Sequence, residues 1–208
     1  MSVRAFPERQ QNEPFQREPE PRAPRAASGA HESSLADDFR VAMRELAGAV
    51  TIVSCGQGAR RAGFAATSVA SLSLEPPTLI VCANRASSTW PTLRAATSFG
   101  LNVLSASHRD LAHRFAGRTG AEGSARYEAG EWTTLRTGAP VLADALAAFD
   151  CTLEEIVERH SHAIVIGRVE AVRRGAGVGA LVYWRGGYDQ LGWSQEELSS
   201  AVGLKPSR

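Results

Sequence analysis

The sequence predicts a mostly β fold with flanking helices, closed or half-closed into a barrel. Seven short runs of β-branched and apolar residues recur between turn residues, while only three segments show a helical period. A double proline and several glycines punctuate the runs where a ladder cannot continue. Short strands at this spacing, with few helices between them, are the pattern of a sheet that curls on itself.

In chain order, Ser34-Leu35-Ala36-Asp37 has the Ser-x-x-acid form of a helix start. Phe39, Ala42, Met43 and Leu46 then follow at helical spacing, and Gly48 is the expected stop. Val50–Ser54 reads as a strand and Gly56-Gln57-Gly58 as a turn. Gly63–Leu74 reads as one strand with small residues on one face, ended by Pro76 and Pro77. Thr78–Ala83 is apolar throughout, so a strand buried on both faces is expected. Ser88–Ala96 reads as a short helix with Pro91 in its first turn. Phe99–Leu104 is a strand and His108–Phe115 a helix closed by Gly117. Residues 119–138 are polar and turn-rich. Ala147–Val157, Ala163–Val172 and Ala180–Trp184 complete the strands, with Gly175–Gly179 as a hairpin turn between the last two.

The 208 residues suit one domain with tails. Residues 1–33 are rich in Pro, Glu, Gln and Arg and cannot bury enough apolar surface to offset ordering entropy. They are expected to be a disordered tail, followed by a domain at 34–193 and a C-terminal tail at 194–208. A net charge of +1, with no basic patch among aromatics, argues against nucleic acid as a partner. No apolar run reaches membrane-span length and the N-terminus lacks a signal-peptide layout, so no membrane association is expected. Cys55, Cys82 and Cys151 have no paired spacing and read as small core residues of a cytoplasmic protein.

Several motifs fail on context. Gly56-Gln57-Gly58 precedes a strand and has no Gly-Lys-Ser/Thr after it, so it is no P-loop. Gly175-Ala176-Gly177-Val178-Gly179 lies between strands, whereas a dinucleotide fingerprint opens a helix. Ser54 and Ser68 lack nucleophile-elbow glycines. Asp37-Asp38 and Glu154-Glu155 are adjacent carboxylates that cannot share a face and read as solvated. His160 and His162, two apart, would share one face of a strand, but no third ligand is evident and no metal is expected.

The informative stretch is Gly63–Pro91. Its hydroxyl-rich strand and its second hydroxyl cluster from Asn84-Arg85 suggest a phosphate held between two chain segments. Four charge-assisted bonds at about 1.5–3 kcal/mol each, less an association cost of at least about 4 kcal/mol, reach micromolar affinity at best. A reversible ligand fits that range.

These residues resemble the short-chain flavin reductase family. The likeness runs through Gly63-Phe64-Ala65-Ala66-Thr67-Ser68, Ser71–Pro77 and Cys82-Ala83-Asn84-Arg85-Ala86-Ser87-Ser88-Thr89-Trp90-Pro91. It continues through Phe99–Ser105, Leu111–Gly117, Phe149-Asp150-Cys151, Ser161-His162 and Leu181–Trp184 with Tyr188. The Asn-Arg-x-Ser-Ser-x-Trp-Pro form is most similar to the family's pyrimidine-utilisation branch.

The resemblance implies an FMN-binding split β-barrel, homodimeric, in which NADH or NADPH reduces FMN (FAD as second choice) for a separate flavin-dependent monooxygenase. It implies that Ala66, Thr67, Ser68 and Val69 line the flavin ring and ribityl chain. Ala83, Asn84, Arg85, Ser87, Ser88 and Thr89 would cover the ribityl-phosphate end, with Phe115 packed near the flavin. His162 and Tyr188 match positions on the nicotinamide side, and no acid/base residue is required. Two departures stand out: Ala65 where relatives often have Thr, and His160 where relatives often have Gly. The alternatives are a tight FMN flavoprotein and a non-catalytic flavin- or haem-binding module on the same barrel.

Overall fold

The computed structural model describes residues 34–192; the tails expected at 1–33 and 194–208 lie outside the described residues. Helix α1 (Leu35–Met43) starts where Ser34 caps it, the Ser34 hydroxyl accepting from the Asp37 N–H. It ends earlier than expected. Gly48–Ala49 is not a helix stop but strand β1, paired with β11 (Ala180–Trp184). The apolar residues of α1 meet nothing that would extend it: none of its residues is buried, and Phe39 is 64% exposed.

Strand β2 (Thr51–Cys55) is buried along its whole length, because both of its faces are covered. Ile52 joins a core with Leu104, Phe115 and Leu142, while Val53 joins a second core with Val81, Phe99 and Val165.

The run Gly63–Leu74 is two strands, not one. Strand β3 (Ala62–Ala66) pairs with β2, and β4 (Val69–Leu74) pairs with β5 (Pro77–Asn84). Both lie in an antiparallel seven-stranded sheet of order β3-β2-β6-β9-β10-β5-β4, with β6 at Ser98–Val103, β9 at Ala147–Arg159 and β10 at His162–Arg174. The two halves of that run are therefore opposite edges of the sheet. Only Thr67 and Ser68 join them, and three trans peptides span at most about 11 Å. The sheet must curl round until its edges meet, which makes a barrel split at that seam. Register shifts in β10 between Ile166 and Gly167 and between Val169 and Ala171 supply local bending.

Two short helices, α2 (Trp90–Arg94) and α3 (Arg109–Phe115), stand as expected, with Pro91 in the first turn of α2. The polar stretch after α3 is more ordered than its composition suggests. It holds a 3₁₀ segment, Gly123–Glu128, and a ribbon of β7 (Trp132–Thr134) with β8 (Pro140–Leu142). Buried Arg126 anchors it by donating to the carbonyls of Gly63 and Ala121.

The glycine run after β10 is not a hairpin turn. It carries the chain from the large sheet to a small one, β1-β11-β12, whose last strand (Gly187–Leu191) lacks the apolar alternation that marks a strand in sequence. No helix among the described residues is long and apolar enough to cross a membrane.

Candidate functional site

The seam between β3 and β4 is pinned from both sides. Thr51 donates its hydroxyl to the Ala66 carbonyl at 2.8 Å. Across the gap, the Ser68 hydroxyl donates to the Cys82 carbonyl at 3.1 Å, and the Cys82 N–H donates to the Ser68 carbonyl at 3.0 Å. Two residues further along β5 comes Asn84, which faces His162 of β10 in register. Thr67, Ser68, Asn84 and His162, spread over nearly a hundred residues of sequence, thus share one end of the barrel.

The turn after β5 is built by its own side chains. Asn84 Oδ1 accepts from the Ala86 N–H at 2.9 Å, and the Asn84 carbonyl accepts from the Ser87 N–H at 3.1 Å. This is an Asx turn, which aims the remaining groups outward. The Asn84 amide nitrogen and the hydroxyls of Ser87 and Ser88 donate to no other described residue, while Ala83 below them is buried. Such a donor set fits a phosphate.

Three of the residues expected at the ligand have partners within the protein. The Arg85 guanidinium is not an open fork: it pairs with Glu158 at 2.6 Å and donates to the His160 carbonyl at 2.9 Å, clamping the turn to the β9–β10 hairpin. Thr89 is 1% exposed, and its hydroxyl donates to the Gly63 carbonyl at 2.9 Å, so it clips α2 to β3. Phe115 is also 1% exposed and backs β3 from behind, edge-on to Tyr127. A Cβ on Gly63 would lie 2.7 Å from the Phe115 ring and 2.7 Å from the Val53 carbonyl, which is why β3 needs glycine there.

His160 and His162 do not share a strand face. His162 pairs with Arg159, so His160 and Ser161 form the hairpin turn, with His160 at φ 50. That is the left-handed region, where glycine costs least. His162 Nδ1 lies 2.9 Å from the Ser161 hydroxyl.

Tyr188 sits elsewhere, against the other side of the seam. A cavity of about 250 Å³ is lined by Val50, Ala65, Ala66, Thr67, Ala116, Arg118, Tyr183 and Tyr188. Tyr183, Tyr188 and His113 stack edge to face around it. A larger apolar trough of about 590 Å³ begins at Leu46–Ala49, includes Thr67 and Val69, and runs on to Phe149 and Val172. Thr67 lines both spaces. Arg118 belongs to no local motif and Tyr183 gives no sign in the sequence that it faces a cavity; the end of α3 and β11 bring them to the seam.

A sheet split at a two-residue seam, with a phosphate-sized donor set at one end and an aromatic cavity beside it, defines a flavin-reductase-like barrel. Residues 43–192 match the model of the flavin reductase like domain, and the chain belongs to that family. It is 45% identical over 154 residues to a protein of Agrobacterium fabrum named FMN reductase (NADH) RutF, covering 74% of this chain and 87% of that one. Among solved structures it resembles BorF, the flavin reductase component of a bacterial two-component tryptophan halogenase. The TM-score is 0.70 at 31% identity, over 76% of this chain and 99% of that one. It also resembles a flavin reductase domain protein from Arthrobacter sp. FB24, with a TM-score of 0.67 at 29% identity over 74% and 94% of the two chains.

Proposed function

We propose that this chain is a cytoplasmic NADH-dependent FMN reductase that passes reduced flavin to a separate monooxygenase. The observation that carries the reading is the convergence of the Thr67–Ser68 seam with the Asn84–Ser88 turn at one end of the barrel. The Asn84 amide nitrogen, Ser87 and Ser88 would take the FMN phosphate. The Ala66–Val69 backbone would support the ring, with Tyr188 beside the nicotinamide on one side of the seam and His162 on the other, at the Asn84 end. The likeness to a protein named FMN reductase (NADH) supports the choice of flavin and donor.

When bound, the two cofactors would supply the chemistry, a two-electron hydride transfer from nicotinamide C4 to flavin N5, with the one remaining proton of the dihydroflavin drawn from solvent. The protein's own residues need only hold the two rings at about 3–3.5 Å and keep water out. Small side chains at Ala65 and Ala66 let a planar ring approach the backbone, with Tyr183 and Tyr188 beside it. Free cysteines at all three positions agree with a reducing compartment.

The reductase acts as a homodimer. The apolar trough exposes Leu46, Leu74 and Val172, with Leu74 84% exposed. A contiguous apolar face of this kind marks an interaction surface, and a second copy covers it by symmetry. Thr67 and Val69 border that face, so dimer formation also shields the seam.

The test is steady-state nicotinamide oxidation with FMN, FAD and riboflavin side by side. Asn84→Ala and Ser88→Ala are each expected to raise the KM for FMN about tenfold and the KM for riboflavin, which lacks phosphate, by much less. Equal effects on FMN and riboflavin would overturn the phosphate placement.

A further inference from the structure

The 250 Å³ cavity contains one charged side chain, Arg118. Its position is set by the end of α3 and not by chance. Gly117, at φ 76, donates its N–H to the Arg114 carbonyl at 3.2 Å, and the Arg118 N–H reaches back to the His113 carbonyl at 3.0 Å. That pair of bonds is a Schellman cap, with Arg118 at its outer position. The side chain then lies along the tyrosines. Its Cζ is 5.6 Å from the Tyr188 ring centroid, one terminal nitrogen is 3.4 Å from the Tyr183 hydroxyl, and the other is 3.5 Å from His113 Nδ1. None of these contacts carries charge against it, and no described carboxylate forms an ion pair with Arg118. By contrast, Arg85 and Arg114 are each engaged by a glutamate.

An oriented guanidinium with no counter-ion among the described residues, lining an aromatic cavity, has the charge and fork geometry to receive a phosphate. The flavin phosphate belongs to the Asn84–Ser88 turn, beyond the Ser68–Cys82 rung. At about 250 Å³ the cavity is smaller than the roughly 300–1,000 Å³ that encloses a drug-sized ligand, so it admits a ring but not a whole dinucleotide. The phosphates of a nicotinamide nucleotide must then stay at the rim, where Arg118 is. We propose that Arg118 is the specificity residue for the nicotinamide co-substrate, binding a phosphate oxyanion of the dinucleotide. This assignment rests on the reductase reading above.

The experiment compares wild type, Arg118→Ala and Arg118→Lys with NADH and NADPH at saturating FMN. Loss of one charge-assisted bond is expected to raise the KM for both nucleotides about tenfold at low salt, with the FMN KM within about twofold and with partial recovery in the lysine variant. The difference between wild type and Arg118→Ala shrinks as salt rises, as for any exposed cation. An increase confined to NADPH assigns the contact to the 2′-phosphate; an increase for both assigns it to the pyrophosphate. An unaltered nicotinamide KM, or a raised FMN KM instead, overturns the assignment. Calorimetric titration with NAD⁺ reads the same contact without turnover. Equal affinity in wild type and Arg118→Ala again overturns it. Affinity that depends on Arg118 in a protein that reduces no flavin would sink the reductase reading and leave this one standing.

Discussion

Thr89→Val separates a structural hydroxyl from a ligand-binding one. The Thr89 hydroxyl donates at 2.9 Å to the Gly63 carbonyl and is buried. Valine keeps the shape and removes the donor. A net loss of about 0.5–1.5 kcal/mol is expected for the bond. The Gly63 carbonyl keeps its second donor, Arg126, so no acceptor is orphaned and the loss stays within that range. The new methyl group lies where an oxygen tolerated 2.9 Å, which forces a small shift of α2 or β3 and adds a few tenths. The total is about 1–2 kcal/mol. At about 2–4 °C per kcal/mol for a domain of about 150 residues, Tm falls by about 2–8 °C. Differential scanning calorimetry at fixed protein concentration reads this, and Thr89→Ser is expected to restore most of it. FMN KM, taken well below the melting range, is expected to stay within about twofold. An FMN KM raised tenfold with Tm unaltered would refute the reasoning, because Thr89 would then be contacting the ligand.

Two further outcomes follow from burial and exposure elsewhere. Burial pushes the thiols of Cys55 and Cys151 from their ordinary 9.0 up to about 12, with the charges of Asp150 and Glu170 adding to the rise at Cys151; burial raises Tyr127 as well. Below pH 9 folded and unfolded chains hold these protons equally. Above it the unfolded chain releases them first, so stability declines from about pH 9 to 12 by about 1.4 kcal/mol per unit for each thiol. Urea titrations across that window check this, and Cys55→Ala is expected to flatten the slope; a slope unchanged in that variant contradicts the cause given. Charging the apolar face with Leu74→Asp and Val172→Asp is expected to convert two-copy particles to single copies in sedimentation velocity. A wild type that sediments as one copy at micromolar concentration removes the dimer reading.

Much of the fold was legible in the chain itself. The Ser34 cap and the helix with Pro91 in its first turn follow from local geometry, and a strand over Thr78–Ala83 from its apolar run, although Pro77 joins that strand and Ile80 and Cys82 on its second face are only half-buried. So did the grouping of Gly63–Ser68 with Asn84–Ser88, because both are dense in small and hydroxyl residues. What hydropathy alternation cannot reveal is which strand a segment meets. A break of only two residues, Thr67-Ser68, leaves the pattern of Gly63–Leu74 continuous, yet it separates partners on opposite edges of the sheet.

The sequence alone determined the β-rich class, the family and the identity of the residues at one end of the barrel, since these depend on local periodicity and motif order. Tertiary structure alone decided which of those residues still have a group to offer. Arg85 is paired with Glu158, 73 positions away, and Thr89 with Gly63, while the Asn84 amide nitrogen and the Ser87 and Ser88 hydroxyls donate to no other described residue and Arg118 arrives from a helix end. The physical reason is that a polar group's availability is set by the nearest partner in space, and long-range pairing brings that partner from a part of the chain that local pattern does not reach.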